Sequence, residues 1–174
     1  PRRSRTDRAV TRKSGWFWSL ATFVVLTDVV TKRLAEVALQ PKHVPHEIVG
    51  DVLRFTLTYN TGAAFSTSLG DYSRWGFTIM ATIVLVVLLR TLRTVDDQDA
   101  WQGAAIGLIC GGAVGNLIDR LRHAAGVVDF IDVGLGDLRF WIFNVADMGV
   151  SVGAIMLAIA MLRDNKLCSV EGGS

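Results

Sequence analysis

Two cysteines and three histidines among 174 residues leave little from which to build a disulfide scaffold, a thiol enzyme or a metal site. Cys110 lies inside a long apolar run and Cys168 in the C-terminal tail, so both are expected to be unpaired. No histidine stands near Cys110 in sequence, which removes the base a thiol nucleophile needs and leaves packing as its role. His43-Val-Pro-His46-Glu47 superficially resembles a zinc-binding helix, but Pro45 spoils the helical face such a site requires. Neither a metal nor a cofactor is therefore expected. Charge of one sign is also scarce, with a net +2 overall. What there is gathers at the N-terminus, where Arg2, Arg3, Arg5, Arg8, Arg12 and Lys13 face a single acid, Asp7. Such a cluster can bind nucleic acid, but this one feeds straight into Trp16 and Trp18 and reads as a membrane anchor.

Apolar residues are plentiful, at 51% of the chain. Four windows reach the length of about 20 mostly apolar residues that a hydrocarbon core demands: roughly Trp16–Leu39, Arg74–Leu92, Ala100–Leu121 and Asn144–Leu162. The first is too long for a removable signal peptide and lacks the small-residue cleavage pattern, so it is read as a retained span. The whole chain is expected to be one membrane-embedded domain, with a basic tail at 1–14 and a second tail at 163–174. Basic residues beside the first span hold that end in the cytoplasm. Four spans then place both termini there, and loops 40–73 and 122–143 outside.

Polar residues interrupt this pattern at a few places, and ionisable groups in or beside spans are read as functional by default. Asp28 and Lys32 are four residues apart on one helix face in the favourable acid-first order. A structural ion pair is the favoured reading of the two, with Thr31 adding a hydrogen bond. Residues 52–60 alternate Phe55, Leu57 and Tyr59 with Arg54, Thr56 and Thr58, the period of a half-buried strand, and Gly50-Asp51 suits a hairpin turn before it. The strand runs into Asn60-Thr-Gly-Ala-Ala-Phe65, either a Gly-containing turn between strand and helix or a close backbone approach at which Asn60 offers both donor and acceptor groups.

The third span carries Gly103, Gly107, Gly111 and Gly115, a small-residue row that lets membrane helices pack closely. Beyond it, Asn116, Asp119 and Arg120 face one wall, Asp119 and Arg120 as a fixing network and Asn116 and Arg120 as candidates to hold a substrate. A second hairpin is expected over 127–143, turning at Gly134-Leu-Gly-Asp137, with Asp129 and Phe130 on opposite strand faces. The Gly-x-Gly-Asp there also occurs in presenilin-type proteases, but no span flanks it and it is read as a turn. The fourth span opens at Phe143-Asn-Val-Ala-Asp147, where Asn144 suits a helix cap and Asp147 the acidic half of a capping box.

The topology brings Asp28, Lys32, Asn60, Asn116, Asp119, Arg120, Asp129, Asn144 and Asp147 to one outer face. Two carboxylates there have the chemistry for metal-free peptide hydrolysis, because close like charges resist ionising together and share a proton. A small ion- or proton-coupled transporter is the main alternative, since intramembrane Asp and Lys also mark ion pathways, though such acids usually lie nearer the midplane. A non-catalytic assembly factor built on the glycine row is a second one, and it gives no reason for two outer carboxylates.

Asp28-x-x-Thr-Lys32, Asn60-x-Gly-Ala-Ala-Phe65, Gly-Gly-Ala-x-Gly-Asn-x-x-Asp-Arg120, Val-Val-Asp-Phe130 and Phe-Asn-x-Ala-Asp147 follow one another in an order that resembles the lipoprotein signal peptidases, the type II signal peptidases of bacteria. That resemblance implies a four-helix membrane bundle with a small extracytoplasmic β-cradle, in the bacterial cytoplasmic membrane; the protein is expected to act as a monomer. It implies a diacylglyceryl-modified prolipoprotein substrate reached from membrane lipid and cut on the N-terminal side of the lipidated cysteine, and globomycin as inhibitor. Asp129 and Asp147 match its catalytic dyad. Asn60, Gly62, Asn116, Arg120 and Asn144 match substrate-positioning residues, and Asp28, Lys32 and Asp119 a supporting polar network. Val29 departs from the Gln usual in the family, which touches only the detail of that network.

Overall fold

The computed structural model of the protein describes residues 11–60 and 72–171. Its elements run α1 (Arg12–Ala38), β1 (His46–Val49), β2 (Leu53–Asn60), α2 (Tyr72–Thr94), α3 (Ala100–Arg122), β3 (Val127–Leu135), β4 (Leu138–Arg139) and α4 (Val145–Glu171). All four helices are long and apolar enough to cross a membrane, over Arg12–Ala38, Ser73–Thr94, Ala100–Arg122 and Val145–Arg163. Twenty-three residues at 1.5 Å each reach about 35 Å, against a hydrocarbon core of about 30 Å. Leu26, Val30, Leu34 and Val37 on α1, and Ile79, Ile83 and Val87 on α2, are exposed, as lipid-facing side chains must be. The protein is thus a multi-pass membrane protein. α4 overruns its expected end, its backbone staying helical to Glu171.

Side-chain caps fix where the helices start. Thr11 accepts from the Ser14 amide at 3.2 Å to open α1, and Asp99 accepts from the Gln102 amide at 2.9 Å to open α3. Each satisfies one of the amides a helix N-terminus leaves unpaired. At this end Lys13 is pinned to the α2–α3 connection by Asp97 at 3.0 Å and by the Val95 carbonyl. From there the expected glycine row acts as a seam. A Cβ on Gly103, Gly107 or Gly111 would stand 2.5, 2.6 or 2.8 Å from the carbonyl oxygens of Lys13, Phe17 and Ala21, so α1 and α3 touch backbone to backbone. Gly112, outside that row, faces the other way, onto the Ala146 carbonyl of α4.

An antiparallel sheet in the order β1-β2-β3-β4 sits at the opposite end of the bundle from Lys13. Gly50 (φ +47°) and Gly136 (φ +56°) supply the left-handed backbone that the two hairpin turns need. One face is anchored by Leu57, Val128 and Phe130, packed on Ala35 in the last turn of α1 and on Leu39, which caps that helix. β2 and β3 pair out of regular register. Phe55 stands opposite Ile131 but Thr58 opposite Asp129, so Thr56 and Leu57 together face the single Phe130 and form a β-bulge. β4 is shorter than expected, ending at Arg139. Phe140 and Trp141 turn outward, 60% and 76% exposed, though the Phe140 amide still donates to the Val133 carbonyl at 2.8 Å, and the chain pairs with β3 again where Phe143 bridges Ile131.

Candidate active site

Four polar side chains of the helices meet at the sheet end of the bundle around Lys32, which is 2% exposed. Its ammonium group lies 2.7 Å from Asp28, 2.9 Å from Asp119 and 2.9 Å from the Asn116 carbonyl oxygen. Three oxygens, two of them from carboxylates, thus surround the charge, the compensation a buried ammonium requires. The two acids in turn hold neighbouring backbone. Asp28 accepts from the Ala146 amide at 2.9 Å, fixing the first turn of α4, and Asp119 accepts from the Val128 amide at 3.2 Å, fixing β3. Gly115 leaves room for this, since a Cβ there would come within 2.5 Å of the Asp28 carboxylate.

Asp129 and Asp147 stand above that cluster, joined through Asn144. The Asn144 amide group donates to Asp129 at 2.6 Å and, at a longer 3.2 Å each, to the Asn116 oxygen and the Val128 carbonyl. Its backbone amide donates to Asp147 at 3.1 Å, while the Asp147 amide donates back to the Asn144 side-chain oxygen at 3.1 Å. This is the reciprocal capping box expected at the head of α4. Asn116 completes the circuit by donating to Asp147 at 2.8 Å.

Asp129 is only 2% exposed, and its carboxyl is pushed up to about 7. Burial is the larger cause and the negative charge of Asp147 the next. Hydrogen bonds from Asn144 and Asn60 and the charge of Lys32 act against them. Arg120 lies within electrostatic reach of Asp147, Asp129 and Asp119. An acid that keeps its proton near neutrality beside a second carboxylate can polarise a carbonyl while the other carboxylate takes a proton from water.

The residues singled out in sequence therefore converge, with two differences. Thr31 bonds back to the Thr27 and Asp28 carbonyls of its own helix at 2.7 and 3.1 Å, outside the polar cluster. Asp119 is held by Lys32 and the Val128 amide, and Arg120 faces the site from the next position. Gly62 lies outside the described residues. Sequence reasoning missed the Ala146 amide, whose partner is 118 residues away, and the Thr56–Asp132 pair. Among the described residues, no group of three or more His, Cys, Asp or Glu is placed to hold a metal ion.

A family model described as signal peptidase (SPase) II matches residues 20–163. The chain is 41% identical over 157 residues to the lipoprotein signal peptidase of Pseudomonas syringae pv. tomato, covering 87% of each chain. It is 42% identical over 160 residues to that of Coxiella burnetii, covering 88% of this chain and 95% of the relative. Among solved structures, a bacterial membrane enzyme determined by the in meso method at 1.9 Å resolution aligns with a TM-score of 0.74 at 35% identity, over 86% of this chain and 94% of that one.

Proposed function

The chain belongs to the signal peptidase II family, and from that premise we propose that it removes the signal peptide of diacylglyceryl-modified prolipoproteins with Asp129 and Asp147 as its catalytic pair. The observation that carries this is the pair itself: two carboxylates from separate elements, bonded to one asparagine, one of them buried and retaining its proton to about pH 7. Asp129 in its protonated form donates to the scissile carbonyl oxygen. Asp147 takes a proton from water, whose oxygen attacks the carbonyl carbon. Breakdown of the tetrahedral diol breaks the C–N bond: Asp147 passes its proton to the leaving amine of the lipidated cysteine, and the diol returns a proton to the pair. Asn60, Asn116, Arg120 and Asn144 orient substrate and acids. Lys32, held by Asp28 and Asp119, keeps α1, α3 and α4 in register. The chemistry needs no metal ion.

In this reading the sheet end faces outward, both termini are cytoplasmic, and the protein works as a monomer. The substrate's acyl chains stay in lipid while the adjacent peptide bond enters the site. Nothing in the family's relatives favours the transporter alternative. Asp129→Asn and Asp147→Asn are each expected to abolish cleavage of a lipidated precursor in detergent micelles while the fold is left intact, and chelators to leave the rate unchanged. Full activity in either variant removes the pair from the mechanism.

A further inference from the structure

The β-bulge decides which face of β2 Asn60 occupies. Continued regularly from the Phe55–Ile131 pair, the register sets Leu57 across from Asp129 and turns Asn60 to the opposite face, because one residue of slip reverses every side chain beyond it. The extra residue instead sets Thr58 across from Asp129 and Asn60 across from Val127, diagonal to Asp129 and on its face, where the Asn60 side chain hydrogen-bonds the Asp129 carboxylate.

Such a bulge needs to be held, and a polar clasp does so. Thr56, itself a bulge residue, donates to Asp132 at 3.0 Å across the strands, and both are buried, at 6% and 5% exposure. Arg139 reaches back from β4 to the other oxygen of Asp132 at 2.6 Å and to the Asp132 carbonyl at 3.2 Å. Its second arm bonds the Asp51 carbonyl at 2.9 Å, tying in the turn that starts β2. One carboxylate thus joins the bulge, the strand bearing Asp129 and both hairpins.

We propose that Thr56, Asp132 and Arg139 are positioning residues of the catalytic site, pinning the β2 bulge so that Asn60 reaches Asp129. This rests on the assignment of Asp129 and Asp147 above. Their side-chain hydrogen bonds among the described residues go to one another and to Asp51, and they act through Asn60.

A double-mutant cycle on the full chain in detergent, with cleavage of a lipidated precursor followed across pH, tests it. Thr56→Val and Asp132→Asn are expected to lower the rate about tenfold, the scale of losing one hydrogen bond to a charged group. Both should move the ionisation of Asp129 in the rate profile to higher pH, as Asn60→Ala does, because each removes a bond that favours the charged form. In an Asn60→Ala background Thr56→Val should cost nothing more, and Thr56→Ser should restore the parent profile. An unmoved profile in the single variants, or full additivity with Asn60→Ala, overturns the proposal. Thermal unfolding of each variant separates general loss of fold from this outcome. Activity in Asp129→Asn overturns the catalytic assignment itself, which the cycle reads separately.

Discussion

Replacing Asp129 by Asn removes a buried acid whose folded-state value stands near 7 against 3.8 for the free side chain. Between those limits the native protein holds a proton that the unfolded chain has released, so its stability falls as pH rises through the window. At 1.36 kcal/mol per unit the full penalty above pH 7 is roughly 4 kcal/mol, an upper figure that any relaxation of the site will reduce. Asparagine does not titrate, and its side-chain oxygen can still accept from Asn144. Asp129→Asn should therefore match the parent protein in thermal unfolding at about pH 4 and exceed it by several degrees at pH 8. Unfolding of the two purified proteins in one detergent, at pH 4.5, 6 and 8, reads this directly, since the other acids are common to both. Adding Asp147→Asn to the parent should narrow the gap, because it removes the second cause of the shift. A difference that stays flat across the range refutes the reasoning, for it means the Asp129 carboxyl ionises as an ordinary surface acid does.

Lys32→Met should cost about 3–5 kcal/mol by thermal unfolding, since it strands Asp28 and Asp119 as buried carboxylates without a cation; parental stability would mean that neither is charged. Two glycines should respond with opposite signs. Gly112→Ala drives a methyl into the Ala146 carbonyl and within 2.8 Å of Val150, a loss of about 1–3 kcal/mol. Gly76→Ala enters open space on α2 and should gain about 0.5–1 kcal/mol from helix propensity, as unfolding midpoints will show.

Local spacing made much of this legible. Asp28 and Lys32 pair because four residues make about one turn, and Gly103, Gly107 and Gly111 form a seam for the same reason. The capping box at Asn144 and Asp147 was equally readable. What escaped depends on contacts distant in sequence. Residues 52–60 look like a strand of unbroken alternation, which casts Thr56 as a polar residue facing away from the apolar side. The bulge buries it against Asp132, 76 residues on, and reverses the strand beyond. No pattern within β2 announces that extra residue, because only the pairing with β3 defines it. Asp132 and Arg139 likewise read as flanks of a turn, and their partners Thr56 and Asp51 belong to the other hairpin.

The opening of α4 places one asparagine in two trades at once. Asn144 closes the helix by exchanging bonds with Asp147, and the same residue steadies Asp129. Unwinding that first turn would release both acids together, so the helix cannot fray quietly at its head while the enzyme keeps working. Heat, detergent or mutation that loosens this junction should silence the protein well before the bundle comes apart, and the residue most exposed to that failure is one that carries no charge.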